Sequence, residues 1–178
     1  ISPWNFPVNL SIGPLVDIFA AGNGAMIKLS EFVPNTSELL AELISNKFSV
    51  DEVIVVNGNM QTSVDFTKLE FDHLIYTGSS DIAKKVSAAA ATNLVPLTLE
   101  LGGKSPVVVG ENTNIDKIVS RVMFGKLFNS GQICVSPDYL LMPDKKVDSF
   151  VEGAKNFIQE KFPTIKNNPD YTSLIHRS

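Results

Sequence analysis

Short runs of apolar residues alternate along this chain with segments whose apolar residues recur every three or four positions. The helical spacing predicts helices at 11–19, 35–47, 81–92, 115–127 and 147–162, and a shorter helix near 63–69. The apolar runs predict buried strands at 25–29, 53–56, 73–77, 97–99, 106–109 and 139–142. Asn35 and Glu38 resemble a capping box at the start of the second helix. Because parallel strands require helical crossovers, this order predicts an α/β fold with a mostly parallel sheet.

The composition is that of an ordinary globular protein. Its 178 residues carry a formal net charge of -4 and are 44% hydrophobic, which disfavours disorder and a nucleic-acid partner. The sequence has no basic stripe or zinc-ligand spacing for nucleic acid. It also has no run of about 18 apolar residues and no leader pattern, so we expect a cytoplasmic protein without a membrane span. The length fits one large domain, two small ones, or a part of something larger.

A single cysteine, Cys134, excludes an internal disulfide and any metal site that needs several cysteines. It follows a predicted helix and a loop of small residues. Two interpretations remain open for the thiol: an inert buried side chain or a reactive group. The histidines that could activate it are His73, inside a predicted strand, and His176, near the end of the sequence. A nucleophile paired with histidine is therefore disfavoured.

Glu100 offers a carboxylate instead. It follows the predicted strand 97–99 and precedes Gly102 and Gly103, which let a backbone approach a ligand closely. The carboxyl end of a parallel strand faces the crevice where ligands bind. A lone glutamate at such a position is also compatible with an ordinary solvated charge, so the position alone does not decide its role.

Two longer motifs resemble the paired signature of the aldehyde dehydrogenase superfamily. They are LELGGKSP at 99–106, which contains Glu100, and FNSGQIC at 128–134, which ends in Cys134. Three further segments match the same superfamily: PWNFP at 3–7, IKLSE at 27–31 and YTGS at 76–79. The last two, with NPDY at 168–171, are similar to the class-3-like branch that includes coniferyl aldehyde dehydrogenases.

The resemblance implies an enzyme that oxidises an aldehyde, coniferyl or another aromatic or aliphatic one, to a carboxylic acid. Cys134 would form a thiohemiacetal and, after hydride transfer, a thioester. The side-chain amide of Asn5 and the backbone N–H of Cys134 would stabilise the oxyanion. Glu100 would activate the water that hydrolyses the thioester. Without the resemblance, Asn5 is simply a turn residue before Phe6.

The resemblance also implies a cofactor site for NAD, with NADP left open. Lys28 and Glu31 match positions that contact the adenosine ribose, and Glu31 would repel a 2'-phosphate. Gly78 and Ser79 would bind pyrophosphate at a helix N-terminus. The remaining members of the implied site are Trp4 and Leu101. Taken alone, Lys28 and Glu31 are typical of surface charges at a strand end and in a turn.

At two positions the sequence departs from the superfamily pattern. Ala83 replaces a glycine of the segment that begins at Gly78, which puts in question how closely the following helix packs. Leu29 stands where proline is common, which predicts a looser turn.

The motif order predicts that the chain is an internal fragment. Residues 1–101 would be an incomplete Rossmann-like cofactor-binding region with helices on both faces of its sheet. Residues 102–178 would begin an α/β catalytic domain. We expect the isolated fragment to be inactive and the full-length protein to be a homodimer or homotetramer acting on a small-molecule aldehyde. Two alternatives remain: a CoA-acylating semialdehyde dehydrogenase, which Glu100 disfavours, and a non-catalytic nucleotide-binding module.

Overall fold

The computed structural model describes residues 1–175, and the chain divides into two compact units, Ile1–Leu101 and Gly102–Ser178. His176, one of the two histidines of the sequence, lies outside the described residues. Among the described residues, none of the helices has both the length and the apolar character needed to cross a membrane.

The first unit alternates helices and strands, as predicted. Its helices are α1 Asn9–Ala20, α2 Pro34–Ser45, α3 Met60–Phe66 and α4 Ser80–Ala91. Its strands are β1 Ala25–Lys28, β2 Val53–Val56, β3 Leu74–Gly78 and β4 Leu97–Leu101. Strand β1 pairs with β2 and β3 with β4, both in parallel. The α/β class with parallel strand pairing is confirmed.

The first two residues join the two strand pairs. The amino group of Ile1 donates to the carbonyl of Ile75 at 2.7 Å, and the N–H of Thr77 donates to the carbonyl of Ile1 at 3.1 Å. Ile1 thus bonds the two residues that flank Tyr76, and this hydrogen-bond pattern is that of parallel strands. The N–H of Ser2 donates to the carbonyl of Lys28, the last residue of β1, at 3.0 Å. The chain therefore runs between β1 and β3, parallel to β3.

Two apolar clusters hold the first unit together. One packs α1 and α2 against β1 and β2, and its buried members are Leu15, Ile27, Leu29, Leu40, Ile44 and Val53. The other packs α3 and α4 against β3 and β4, and its buried members are Phe66, Leu74, Tyr76, Ala83, Val86, Ala90 and Val95. Each larger aliphatic side chain buried in this way contributes about 1.5–3 kcal/mol.

Both departures from the superfamily pattern are accommodated by this packing. Ala83 is 2% exposed, so its methyl group is part of the contact between α4 and the strands. Leu29 is also 2% exposed and belongs to the other cluster. The turn after β1 is therefore anchored by a buried side chain, and the expectation of a loose turn is wrong.

The starts of α2 and α3 differ from the prediction for identifiable reasons. Helix α2 begins at Pro34, and its N-cap residue, Val33, makes no side-chain capping bond, so the predicted capping box of Asn35 and Glu38 is wrong. Proline suits the first helical position because its φ is already helical and it has no N–H to satisfy. Helix α3 begins earlier than expected because Asn59 caps it, accepting from the N–H of Gln61 at 3.0 Å.

The second unit contains one parallel strand pair and two long helices. Strands β5 Ser105–Val108 and β6 Pro137–Leu141 pair in parallel. Helix α5 Ile115–Leu127 lies between them in sequence, and α6 Val147–Lys161 follows β6. At Gly153 the two helices come so close that a Cβ would lie 2.9 Å from a methyl group of Val119. Short 3₁₀ turns at Phe128–Gly131 and Asp144–Lys146 complete the unit.

Candidate functional site

Parallel strands end at a shared edge, and the structure places most of the predicted cofactor residues of the first unit at such ends. Gly78 is the last residue of β3 and lies opposite Leu101, the last residue of β4. Glu100 lies opposite Thr77 in the same ladder. The pairing therefore brings Gly78, Glu100 and Leu101 together at the end of a sheet where α/β proteins bind ligands. The side chain of Glu100 is exposed.

Trp4 and Asn5 lie shortly after the residues that pair with β1 and β3. Ser2 is hydrogen bonded to the last residue of β1, and the bends at Trp4 and Asn5 follow immediately. Both side chains are half-buried. Both residues follow directly after the short segment that pairs with β3.

Lys28 is 1% exposed, which makes the surface-charge interpretation wrong. Its ammonium Nζ donates to the carbonyl of Leu29 at 2.5 Å and to that of Gly58 at 3.2 Å. Burial lowers the pKa of the ammonium below its ordinary value, and the charge of Glu31 partly opposes that shift. A buried cation with carbonyl partners thus lies at the end of β1.

A cavity of about 280 Å³ opens beside this lysine. Its lining includes Glu31, whose side chain is exposed, and the Asn57 and Gly58 backbone that follows β2. The amide of Asn57 donates to the carbonyl of Ser37 at 3.2 Å, which ties α2 to this loop. Asn57 and Gly58 were not predicted as site residues. The sequence offers one signal for these two residues, which is that they directly follow a predicted strand. Their hydrogen-bond partners lie in distant segments.

The N-terminus of α4 follows directly after the carboxyl end of β3. Ser79 is the N-cap, and its Oγ accepts from the N–H of Ile82 at 3.4 Å. The phenol oxygen of Tyr76 occupies the space that a side chain at Gly78 would need. Burial raises the pKa of Tyr76, while hydrogen bonds with Ser79 oppose the shift. Tyr76 is therefore a support of this turn that sequence reasoning did not assign to the site.

A larger cavity, about 440 Å³, lies among residues such as Ala25 and His73, at the amino-terminal ends of β1 and β3. None of the predicted site residues lines it. His73 donates or accepts a hydrogen bond with Thr98 Oγ1 at 2.9 Å. Because ligand chemistry in parallel sheets gathers at the carboxyl ends, we assign the function to the smaller cavity and its edge.

Cys134 lies in the second unit, whereas Asn5 and Glu100 lie in the first. Its side chain is exposed, so the interpretation as an inert buried residue is wrong. The turn that carries it is closed by a hydrogen bond from the N–H of Ser136 to the carbonyl of Ile133 at 3.1 Å. An exposed thiol on a short turn is open to an electrophile.

Three residues before this turn have left-handed backbone conformations. The φ angles of Asn129, Ser130 and Gly131 are 50°, 54° and 75°. A Cβ on Gly131 would lie 3.0 Å from the carbonyl oxygen of Lys126, so glycine is required there by space as well as by φ. The sequence suggested a small-residue loop, which is confirmed, but not its left-handed run. Within residues 1–175, no cluster of three or more His, Cys, Asp or Glu side chains is placed to hold a metal ion.

Comparison with known proteins gives one consistent family. Residues 1–177 match the model of the aldehyde dehydrogenase family. Coniferyl aldehyde dehydrogenase of a Pseudomonas species is 52% identical over 99% of this chain and 37% of its own length. The structure titled "Substrate bound state of Staphylococcus Aureus AldH" aligns with a TM-score of 0.91 at 38% identity, over 98% of this chain and 38% of that one.

A third relative is a Mycobacterium tuberculosis aldehyde dehydrogenase whose structure is described as complexed with NAD⁺. It aligns with a TM-score of 0.82 at 30% identity, over 89% of this chain and 33% of that one. The chain thus spans little more than a third of the length of these relatives. Since the family match extends over nearly every residue, the chain belongs to the aldehyde dehydrogenase family.

Proposed function

We propose that the whole protein oxidises an aldehyde to a carboxylic acid and that this chain carries its nucleophile and much of its nucleotide site. The observation that carries the proposal is the exposed thiol of Cys134 on a defined turn, in a chain of the aldehyde dehydrogenase family. Residues 1–101 form the cofactor-binding part in this proposal, and residues 102–178 belong to the catalytic part.

Cys134 acts as the nucleophile. Its thiolate attacks the aldehyde carbon, and the carbonyl oxygen becomes the oxyanion of a thiohemiacetal. The backbone N–H of Cys134 and the side-chain amide of Asn5 donate hydrogen bonds to that oxyanion. In enzymes of comparable chemistry, loss of one such donor costs about 3 kcal/mol of transition-state stabilisation.

Glu100 completes the reaction. When bound, the nicotinamide cofactor supplies the hydride acceptor that turns the thiohemiacetal into a thioester on Cys134. The carboxylate of Glu100 then takes a proton from water, and the resulting hydroxide attacks the thioester carbon. The C–S bond breaks, the acid leaves, and the thiolate of Cys134 is restored.

The edge described above fits the chemistry of an adenine dinucleotide. The Glu31 carboxylate is an acceptor suited to ribose hydroxyls, and it borders the 280 Å³ cavity. The start of α4, with Gly78 and Ser79, presents backbone N–H groups to a pyrophosphate. Leu101, the last residue of β4, and Trp4 complete the proposed site.

The fit favours NAD over NADP. A 2'-phosphate on the adenosine ribose would meet the negative charge of Glu31. Lys28 could offset that repulsion only with a free ammonium group. Its ammonium is buried and already donates to the carbonyls of Leu29 and Gly58, which supports the proposed preference for NAD.

The relatives indicate the substrate class. Because coniferyl aldehyde dehydrogenase of Pseudomonas is 52% identical, we propose coniferyl aldehyde or a similar aromatic or aliphatic aldehyde. We also propose a cytoplasmic homodimer or homotetramer, which light scattering on the whole protein would test.

The test is aldehyde-dependent NADH formation by the whole protein and its variants. Cys134→Ala should abolish turnover, and continued turnover would exclude Cys134 as the nucleophile. Glu100→Gln should slow thioester hydrolysis while preserving a first burst of NADH. Glu42→Gln, on the exposed side of α2, is the matched control and should leave both rates unchanged. Formation of acyl-CoA instead of acid when CoA is added would replace this proposal with acyl transfer to CoA.

A further inference from the structure

The left-handed run before Cys134 needs to be held in place. Single non-glycine residues in this conformation cost about 1–2 kcal/mol each, and Asn129 and Ser130 both adopt it. Such a conformation persists only when the surrounding contacts stabilise it. The hydrogen bonds of the next residue, Gln132, show where that stabilisation comes from.

Gln132 uses both ends of its side-chain amide. Its Nε2 donates to the carbonyl of Asn129 at 3.0 Å and to the carbonyl of Ser173 at 3.3 Å. Its Oε1 accepts from the backbone N–H of Ile175 at 3.1 Å. One side chain thus joins the left-handed turn to a segment about forty residues later in the same unit.

Ser130 makes a second link to that segment. Its hydroxyl donates to the carbonyl of Thr172. The segment is itself anchored at its start, since the ring of Tyr171 packs against the ring of Phe162 with centroids 5.1 Å apart. We call residues Thr172–Ile175 the strap.

We propose that the strap positions the Cys134 turn and that Gln132 is the positioning residue through which it acts. Gln132 lies two residues before Cys134, and it connects the strap to the turn through backbone groups on both sides. In this proposal the strap fixes the backbone that presents the thiol and the N–H of Cys134. Its catalytic consequence rests on the function proposed above.

The first test removes the hydrogen bond between the Ile175 N–H and Gln132 Oε1, once by changing the acceptor and once by changing the donor. Gln132→Met removes the amide, and Ile175→Pro removes the N–H donor without touching the turn. Ile175→Ala, which keeps the N–H, is the control for the proline, and Gln61→Met on exposed α3 is the control for the methionine. Ser136 reports on the Cys134 turn because its N–H closes that turn.

Backbone hydrogen exchange in the whole protein is the readout. Gln132→Met should speed exchange of the Ile175 amide, and Ile175→Pro should speed exchange of the Ser136 amide. The expected factor is about fivefold, the ratio that corresponds to one net hydrogen bond. Gln132→Met should speed Ser136 exchange as well. Because both substitutions remove the bond between Gln132 Oε1 and the Ile175 N–H, the double variant should exchange more slowly at Ser136 than the product of the two single effects. Unchanged Ser136 exchange in Ile175→Pro, or full additivity, would overturn the proposal.

The second test follows catalysis in the whole protein. Gln132→Met should lower kcat about fivefold or more and leave the nucleotide dissociation constant unchanged, because the cofactor residues lie in the other unit. Faster Ser136 exchange with an unchanged kcat would overturn the positioning role. If the unsubstituted protein does not oxidise aldehydes, the proposed function fails, and the exchange data still decide whether the strap holds the turn.

Discussion

The ammonium of Lys28 donates a hydrogen bond to the carbonyl oxygen of Gly58 at 3.2 Å, joining the end of β1 to the segment that follows β2. This lysine is almost fully buried, so a residue at this position must fit the surrounding packing and must also have its positive charge stabilised. The two requirements can be separated by a substitution that keeps the charge.

Lys28→Arg should destabilise the protein by about 1–3 kcal/mol, because a larger planar group overfills a packed site and cannot reproduce both carbonyl contacts. Lys84→Arg, on a side chain that is 79% exposed, should change stability by less than about 0.5 kcal/mol. Urea denaturation of the two variants measures the difference. Equal stabilities would show that Lys28 is not confined as described.

Glu31→Gln should improve the use of NADP relative to NAD. The substitution keeps the size and hydrogen-bonding capacity of the side chain at the 280 Å³ cavity and removes the charge that opposes a 2'-phosphate. A relative gain of about tenfold in NADP affinity corresponds to about 1.4 kcal/mol of relieved repulsion. Titration calorimetry with both nucleotides measures the ratio, with Glu38→Gln on the same cavity as the control. A larger gain in NADP affinity for Glu38→Gln than for Glu31→Gln would show that Glu31 is not the residue that opposes the 2'-phosphate.

Ser136→Ala should leave stability unchanged or raise it by about 1 kcal/mol. Within the described part of the chain, the Ser136 hydroxyl is buried without a hydrogen-bond partner, and a buried polar group in that state is unfavourable. Ser37→Ala is the contrasting control, since that hydroxyl donates to the carbonyl of Val33 at 2.9 Å, and its loss should destabilise. Thermal unfolding that ranks the two variants in the opposite order would contradict this account.

Local patterns predicted the order of helices and strands, because apolar spacing reflects which face each element buries. They failed where the deciding partner is distant in sequence. Lysine at a strand end is normally solvated, and the burial of Lys28 depends on the carbonyls of Leu29 and of the distant Gly58. The capping box at Asn35 failed for a local reason, since Pro34 starts the helix one position earlier.

In the candidate site, too, local sequence patterns predicted some residues and missed those whose partners are distant in sequence. Motifs identified Cys134, Glu100 and Gly78, and the strand register places the last two in adjacent pairs of one ladder. No local signal connected Gln132 with Ile175, because a long-range hydrogen bond to a backbone N–H leaves no pattern in the intervening residues. The support of Ser79 by Tyr76 was missed for a similar reason, since an aromatic residue in a strand usually indicates only core.

The most direct measurement is the mass of the protein with its acyl-enzyme intermediate trapped. The whole protein carrying Glu100→Gln, mixed with aldehyde and NAD and quenched in acid, should retain the acyl group as a thioester. Peptide mapping should place that mass increase on the peptide containing Cys134, and Cys134→Ala in the same background should show none. NADH formation without any acyl-enzyme, or an acyl group on another residue, would contradict the central claim that Cys134 is the nucleophile.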